Sequence, residues 1–533
     1  MNVDAPAMGV SLGSWRTIWT VMTAVGIAAL VFVAVGSLVF PQGPDQAMWA
    51  WVGSVVLRGG APYSAAWDIK GPLTHCIYAL SILLFGRGEI AIRILDLATV
   101  VVCCLSLRRL VFRLNGGDVW GANWAVLLFG LMYYAGGYAD TAQAEEWGGM
   151  LILWAVWLLL EAPERPYRNL VGAGLLIALA ALIKPTFLIY LTLPVVWGQW
   201  GETPRSEWMK ATCLSWISCG VVVGVAILVL FLVGALGDYF DILRYIYTTY
   251  EPLDRPSLLA GFLALPETLF RFGLLVPYLL VPIGLLTVFR LHRNRVTVLL
   301  GGWFFLAMTT VIVQRRFWQD HWLPAAMAAA AIFGIALTYL TRSRIVQGRH
   351  GFIGHVLVCG LALAGVFPSA QRAIGSNYSW PEYLLGAQSR EDYIEKVTRP
   401  FNEVALPFNY FEQLQVARYI TQHTREDETF AIWGWDVSVY VMAQRRSATR
   451  FSVYQALDEQ GPVLKKYQNA FLSELSKNHP KYIVIDTRGT WYLPPGSGQR
   501  SLENFSDFKE WLIQHYRVET VLGVYQFWVS KSN

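Results

Sequence analysis

Charge is scarce in this 533-residue chain: Asp, Glu, Lys and Arg together make up 15%, against roughly 25% in soluble domains. That scarcity excludes an ordinary soluble enzyme. Cysteine is scarce too, and Cys76, Cys103, Cys104, Cys213, Cys219 and Cys359 all lie in apolar stretches. No disulfide framework and no CxxC zinc site is available. There is no convincing GxGxxG or GxxxxGKS/T and no basic tail, so nucleotide and nucleic-acid binding have no support. Gly and Pro recur without a period, and aromatic and branched apolar residues are plentiful, which rules out a collagen-like or disordered chain.

What the chain has is long apolar runs. Residues 1–368 hold 24 Lys and Arg with 19 Asp and Glu, about 12% charge, whereas residues 369–533 hold 18 of each, about 22%. The sequence therefore divides into a membrane part, 1–368, and a globular part, 369–533. A crossing helix needs about 20 apolar residues. Ile18–Phe40, Ile90–Phe112, Cys213–Leu236, Phe272–Phe289, Val296–Val313 and Trp322–Leu340 qualify directly. Shorter or joined runs at Trp120–Tyr138, Trp147–Leu160, Leu170–Ile183, Phe187–Trp200 and Phe352–Phe367 bring the expected total to about 11. Ile18–Phe40 is longer than the apolar region of a signal peptide and lacks a small-x-small cleavage pattern before Pro41, so it reads as a span. Leu73–Phe85 is too short and reads as an interfacial or re-entrant helix.

With that count, fourteen cations, Arg16 and the clusters at Arg108/Arg109/Arg113, Arg165/Arg168, Arg205/Lys210, Arg290/Arg293/Arg295 and Arg342/Arg344/Arg349, share one side with six acids. On the other side acids outnumber cations. The asymmetry places the N-terminus inside and the C-terminal part outside. That part alternates helical and strand patterns, the strands being Thr429–Trp433, Tyr482–Asp486 and Val518–Val529, and reads as an α/β domain.

The polar residues that need explaining gather in the outer loops. In the first, residues 41–72, Asp45 follows a Pro-Gln-Gly-Pro turn; it could serve only as a helix N-cap, or as a general base for an incoming hydroxyl. Asp68 and Lys70 share this loop. The second loop offers Asp140, Glu145 and Glu146 with no cation between them, either a solvated rim or a site that organises a cation or a hydroxyl substrate. The third, QRRFWQDHW, contains Arg315, Arg316, Asp320 and His321. Paired arginines on the outer side suit an anionic ligand such as a lipid phosphate, or snorkel to the headgroups. Lys184 stands on the same side and could neutralise a phosphate. Arg93 and Asp96, one helical turn apart, read as a structural pair; His355 and Cys359 read as core residues; Asp238–Tyr250 reads as an amphipathic surface helix.

The succession PDQAMWAW, LRGGAPYSAAWDIKGPL, LLFGRGEIAIRIL, ALIKPTF and FWQDHWLPA resembles the GT-C glycosyltransferases, in particular the bacterial relatives of protein O-mannosyltransferases and of the lipid A aminoarabinose transferase. VARYI, FAIWGWDVSVYVMAQRRSATRF and KYIVID are similar to the extracytoplasmic domain that many bacterial members append. The resemblance implies a polytopic α-helical enzyme of the bacterial inner membrane with a periplasmic α/β domain, using a polyprenyl-phosphate-linked sugar and a glycan, lipid or protein acceptor. It places Asp45 at the catalytic centre, although many relatives have Asp-Glu where this chain has Asp45-Gln46. It likens Lys70-Gly71-Pro72 to the family's Lys-Pro-Pro or Lys-Gly-Pro element, Glu145 to the acid after the third span, and His321 to the histidine before a Leu-Pro. Lys70, Lys184, Arg315 and Arg316 are then expected at the donor phosphate, and Asp140, Glu145 and His321 at the acceptor or a divalent ion. Metal use is left open. A transporter or lipid flippase with an accessory domain is the alternative, favoured by inverted repeats, broken spans and mid-membrane acids.

Overall fold

The computed structural model describes residues 12–198, 204–250, 257–314, 316–343, 346, 351–404, 409–488 and 497–531. Seven described helices are long and apolar enough to cross a membrane, and four shorter apolar ones accompany them. The long helices used below are α1 (Leu12–Gly36), α4 (Glu89–Leu114), α7 (Pro166–Ile183), α8 (Arg205–Leu232), α11 (Leu323–Arg342) and α12 (Gly351–Gly375). Between them lie α2 (Pro44–Leu57), α3 (Pro72–Phe85), α5 (Val119–Tyr134) and α6 (Ala144–Glu161). Proline at the first or second position starts α2, α3, α7 and α11, where its missing N–H costs nothing. Asp118 caps α5 by accepting from the Gly121 amide at 2.9 Å.

Burial sorts the helices by role. The alanine-rich α11 is enclosed on all sides, with Ala325, Ala326, Ala328, Ala330 and Ala331 fully buried. It meets α5 backbone to backbone: a Cβ on Gly121 would lie 2.3 Å from the Gly334 carbonyl oxygen. Small residues permit that approach, the usual basis of helix packing in lipid. By contrast α1 and α8 present Val21, Val25, Val31, Ile217, Val221, Val225 and Phe231 outward, the all-round apolar surface of lipid-facing helices.

The helical stretch α10 (Val281–Gln314) is 34 residues long, yet it holds two expected spans. In a straight helix Leu285 and Gly301 would stand about 24 Å apart. Here a Cβ on Gly301 would lie 3.7 Å from the Leu285 side chain. The chain therefore folds back within this stretch, as the charge cluster from Arg290 to Arg295 anticipates. The expected Leu73–Phe85 lies in one helix, the 14-residue α3, about 21 Å long and short of the roughly 30 Å hydrocarbon core.

The C-terminal unit is a five-stranded sheet, order β2-β1-β3-β5-β4, built from β1 (Thr429–Trp433), β2 (Arg446–Ser447), β3 (Tyr482–Asp486), β4 (Tyr516–Leu522) and β5 (Tyr525–Ser530). Strands β2, β1 and β3 are parallel, and β5 and β4 run antiparallel to their neighbours. The expected strand Val518–Val529 is thus a hairpin, turned at Gly523, whose φ of 58° suits glycine. The helices are α13 (Tyr410–His423), α14 (Ser438–Ala443), α15 (Leu464–Asn478) and α16 (Ser506–His515). The helix holding Pro368 continues to Gly375, so the change in composition falls inside an element.

An aromatic seam joins this unit to residues 44–72. Trp67 packs on Tyr245, Phe451 and Tyr467, and Trp51 on Tyr440; the Trp67 amide donates to the Arg450 carbonyl at 2.8 Å. The amphipathic segment expected at Asp238–Tyr250 begins as α9 (Leu236–Tyr245). Its buried side joins the seam, with Asp238 on Arg450 (3.2 Å) and Tyr245 on Glu459, while Phe240 and Tyr247 face outward.

Candidate active site

Asp45 owes its position to its neighbours. Gly43 is the cap of α2, and Gln46 rather than Asp45 completes the cap, accepting from the Gly43 amide at 2.9 Å. The Gln46 amide nitrogen donates to the carbonyls of Tyr138 (2.7 Å), Ala139 (3.3 Å) and Thr141. Arg93 donates to Gln46 Oε1 (2.6 Å), Thr141 Oγ1 (2.8 Å) and the carbonyls of Tyr138 and Pro41. Gly43 rests on Ala139, whose Cα a Cβ would meet at 2.9 Å. The first loop is therefore bolted to the segment bearing Asp140. One residue away on the helix, about 100° round, the Asp45 carboxylate is half-buried and takes no hydrogen bond from any described residue.

The opposing wall is built around Glu145, in the first turn of α6 and 1% exposed. Lys184 donates to its Oε1 and to Gln314; Lys70 Nζ stands 3.7 Å from the same oxygen and His321 Nε2 3.9 Å. The two lysines converge because Gly71 touches the end of α7. Its amide donates to the Ile183 carbonyl at 3.2 Å, and a Cβ would lie 2.1 Å from the Leu182 oxygen. Asp68 shapes the Lys70 loop, accepting from the Lys70 amide (3.3 Å) and meeting His75 at 2.7 Å, while Tyr63 donates to the Lys70 carbonyl. The Lys70 ammonium also lies 5.2 Å from the centre of the Trp49 ring.

The charges act on one another. Burial raises the Asp45 pKa above the usual carboxylate value; Lys70 pulls it back, and Asp68 and Glu145 push it up. Burial, then Asp45, pushes Asp140 up to about 7, against Arg372. For Lys70, burial opposes the charge, but Glu145 and Asp45 outweigh it and hold the ammonium above its ordinary pKa.

Asp45, Lys70, Asp140, Glu145, Lys184 and His321 are thus brought to one end of the bundle from five separate stretches of chain. Arg316 borders the same region, stacked 4.1 Å from the centre of the Tyr250 ring and donating to the Tyr250 carbonyl at 2.8 Å. Arg315 lies outside the described residues. Gln314, Tyr250 and His75 join without any signal in the sequence beyond proximity to charged neighbours. Arg93 and Asp96 are not the expected pair. Arg93 turns to the loop carbonyls, whereas Asp96 bonds Tyr133, because three carbonyls and a hydroxyl engage both terminal nitrogens of the guanidinium. His355 stacks on Trp15 and bonds the Gly351 carbonyl at 2.9 Å.

Glu145, Asp320 and His321 each offer a donor atom within 4.8 Å of the others, the one such group among the described residues. Glu145 Oε2 and His321 Nδ1 have no hydrogen-bond partner. Two carboxylates and an imidazole fit a divalent ion, with the lysines on Glu145 Oε1 in competition.

Set beside solved structures, the chain is similar to ArnT from Cupriavidus metallidurans bound to undecaprenyl phosphate, with a TM-score of 0.57 over 97% of this chain and 98% of that one, at 15% identity. The fold is that of a GT-C glycosyltransferase. The same fold is shared with the Archaeoglobus fulgidus oligosaccharyltransferase tethered with an acceptor peptide (TM-score 0.51, 13% identity, 87% of this chain and 69% of that one). It is shared also with the arabinofuranosyltransferase AftD from Mycobacteria (0.52, 10%, 95% and 40%). The family described as dolichyl-phosphate-mannose-protein mannosyltransferase matches residues 69–212, a stretch that holds Lys70, Asp140, Glu145 and Lys184. None of the curated proteins matches by sequence. The chain is a multi-pass membrane protein with the GT-C fold.

Proposed function

We propose that this protein transfers a sugar from a polyprenyl-phosphate donor to a hydroxyl of a glycan, lipid or protein at the periplasmic face of a bacterial inner membrane, with its N-terminus cytoplasmic and its C-terminal domain periplasmic. The observation that carries this reading is the unbonded Asp45 carboxylate facing the cluster of Lys70, Lys184, Glu145 and His321. Support comes from neighbours of the same fold that hold undecaprenyl phosphate, or an inhibitory peptide and a dolichol-phosphate. The positive-inside asymmetry of the sequence supports the orientation.

The chemistry needs no nucleotide fold. Asp45 takes the proton of the acceptor hydroxyl as its oxygen bonds to the anomeric carbon. The bond from that carbon to the phosphate oxygen breaks on the opposite face, inverting the centre. The electron pair leaves with polyprenyl phosphate, whose charge Lys70, Lys184 and Arg316, together with Arg315 next to Arg316 in sequence, stabilise. Asp140 and His321 orient the acceptor. A divalent ion held by Glu145, Asp320 and His321 would supply further positive charge; Glu145 is also the residue on which the two lysines converge.

The test is release of polyprenyl phosphate from a panel of polyprenyl-phosphate sugars by protein in lipid, with an envelope extract as acceptor. Asp45→Asn should lower release by about 10²–10⁴-fold with unchanged folding. Equal release by both proteins would remove Asp45 as the base, and no release from any donor would overturn the proposed reaction.

A further inference from the structure

Away from this site, where residues 50–92 meet the C-terminal unit, a small cleft of about 40 Å³ opens to solvent. Trp51, Ile82 and Tyr440 form its walls, and Arg58, Arg87 and Arg445 line it. Arg58 ends α2 and Arg87 sits in the turn between α3 and α4. Among the described residues neither makes an ion pair or a side-chain hydrogen bond. Arg446, on the edge strand β2, stands close enough to act on Arg58. Burial, then Arg87 and Arg446, lowers the Arg58 pKa, although all three side chains keep solvent access.

The nearby acids are committed elsewhere. Glu89 is held by Arg390 and Tyr410 and by the Gln42 amide, and Asp427, which feels Arg446, is bound by Arg425. Arg445 is tied to Thr424 and the Ala443 carbonyl, so its guanidinium is fixed in the wall. Beside the free arginines, Leu57, Leu83, Leu84, Phe85 and Ile90 are 41–68% exposed. Such a band, in a chain that crosses a membrane, faces acyl chains, which sets Arg58 and Arg87 at headgroup depth.

We infer that Arg58, Arg87 and Arg446 form a binding site for the phosphate of an anionic membrane lipid, whose acyl chains lie along Leu83, Leu84 and Phe85. Arg58 and Arg87 share the lining of the cleft and Arg446 acts on Arg58 from the edge strand; a phosphate among these exposed guanidinium groups relieves their repulsion through charge-assisted bonds. This site is separate from the proposed transfer reaction and does not depend on it. It ties the loop bearing Asp45 to the C-terminal unit through a lipid.

The test is native mass spectrometry of the full-length protein in detergent, titrated with phosphatidylglycerol and with phosphatidylcholine. The wild type should prefer phosphatidylglycerol by about tenfold. The R58Q/R87Q/R446Q variant should lose that preference, and R109Q/R113Q/R168Q, carrying the same charge loss at the other arginine clusters, should keep it. R87Q alone, altering a turn side chain with no bond to lose, should cut the preference about threefold. A preference that survives the triple variant, or falls equally in the control, overturns the site. Displacement of the lipid by millimolar inorganic phosphate alone would assign it to a soluble phosphoryl ligand and overturn the lipid assignment.

Discussion

Glu145 and Glu146 are adjacent in the same helical turn, and their surroundings are opposite. Glu145 faces two lysines and a histidine and keeps one oxygen without a partner. Glu146 accepts from Tyr133 at 2.8 Å and from Thr99 at 3.3 Å. Tyr133 also bonds Asp96 and accepts from the Ala142 amide, so both oxygens of Glu146 are engaged by structural partners. A saturated polar network fixes shape, whereas one with open valences has capacity left for a ligand. The sequence offers the two glutamates as equals, and the 100° between them on the helix separates a structural role from a proposed chemical one.

The largest contrast should come from removing each charge in turn. Glu145→Gln is expected to lower turnover by about 10²–10³-fold, while Glu146→Gln, whose amide can accept from Thr99 and donate to the Tyr133 oxygen, should stay within about threefold of wild type. Steady-state rates of both variants in one lipid preparation decide this; equal losses would erase the distinction. Next in size is Gln46→Glu. Three carbonyls would then face a group without a donor, costing about 1–3 kcal/mol, and the deficit should shrink toward low pH as the new carboxyl takes up a proton. Thermal unfolding across pH reads this out, and an unchanged unfolding temperature would dismiss Gln46 as the bolt between the two loops.

Lys70→Met tests the electrostatics. Lys70 favours ionised Asp45, so its loss should move the acid limb of the pH–rate profile upward by about one pH unit, in addition to any loss of donor binding. A limb that stays or falls would separate Asp45 from that limb. The smallest effect is expected in the C-terminal unit, where burial and then Asp436 push the Asp486 pKa up to about 8, against Arg488. The folded chain keeps that proton up to about pH 8, whereas the unfolded chain loses it near pH 4. The stability it contributes is present below that lower pKa and lost as pH rises toward 8. Asp486→Asn does not titrate, so the unfolding temperature of wild type should fall relative to it between pH 5 and 8.

Hydropathy made much of the architecture legible, because a crossing helix must be long and apolar whatever it packs against. The short α3 and the paired spans within α10 were readable for the same reason. The hairpin of β4 and β5 was not, since Val518–Val529 alternates without a strong turn signal apart from Gly523. At the site, residue type and loop membership located Asp45, Lys70, Asp140, Glu145, Lys184 and His321, but not which way each points. Gln46 shows the limit. In sequence it is a departure from Asp-Glu; in space it is the group that holds the second loop, a role visible only when the carbonyls of Tyr138, Ala139 and Thr141 are in place. Arg93 failed as a partner for Asp96 for the same reason: helical spacing sets proximity, and competition among acceptors sets the bond.

The contact of Gly71 with the last carbonyls of α7 also bears on how the protein is made. While the chain is still emerging, Lys70 lacks the backbone that seats it until residue 183 is in place, and His321 arrives much later still. The wall opposite Asp45 closes only when the segment leading into α11 is in place, so a chain that stops short of it carries the Asp45 carboxylate without His321.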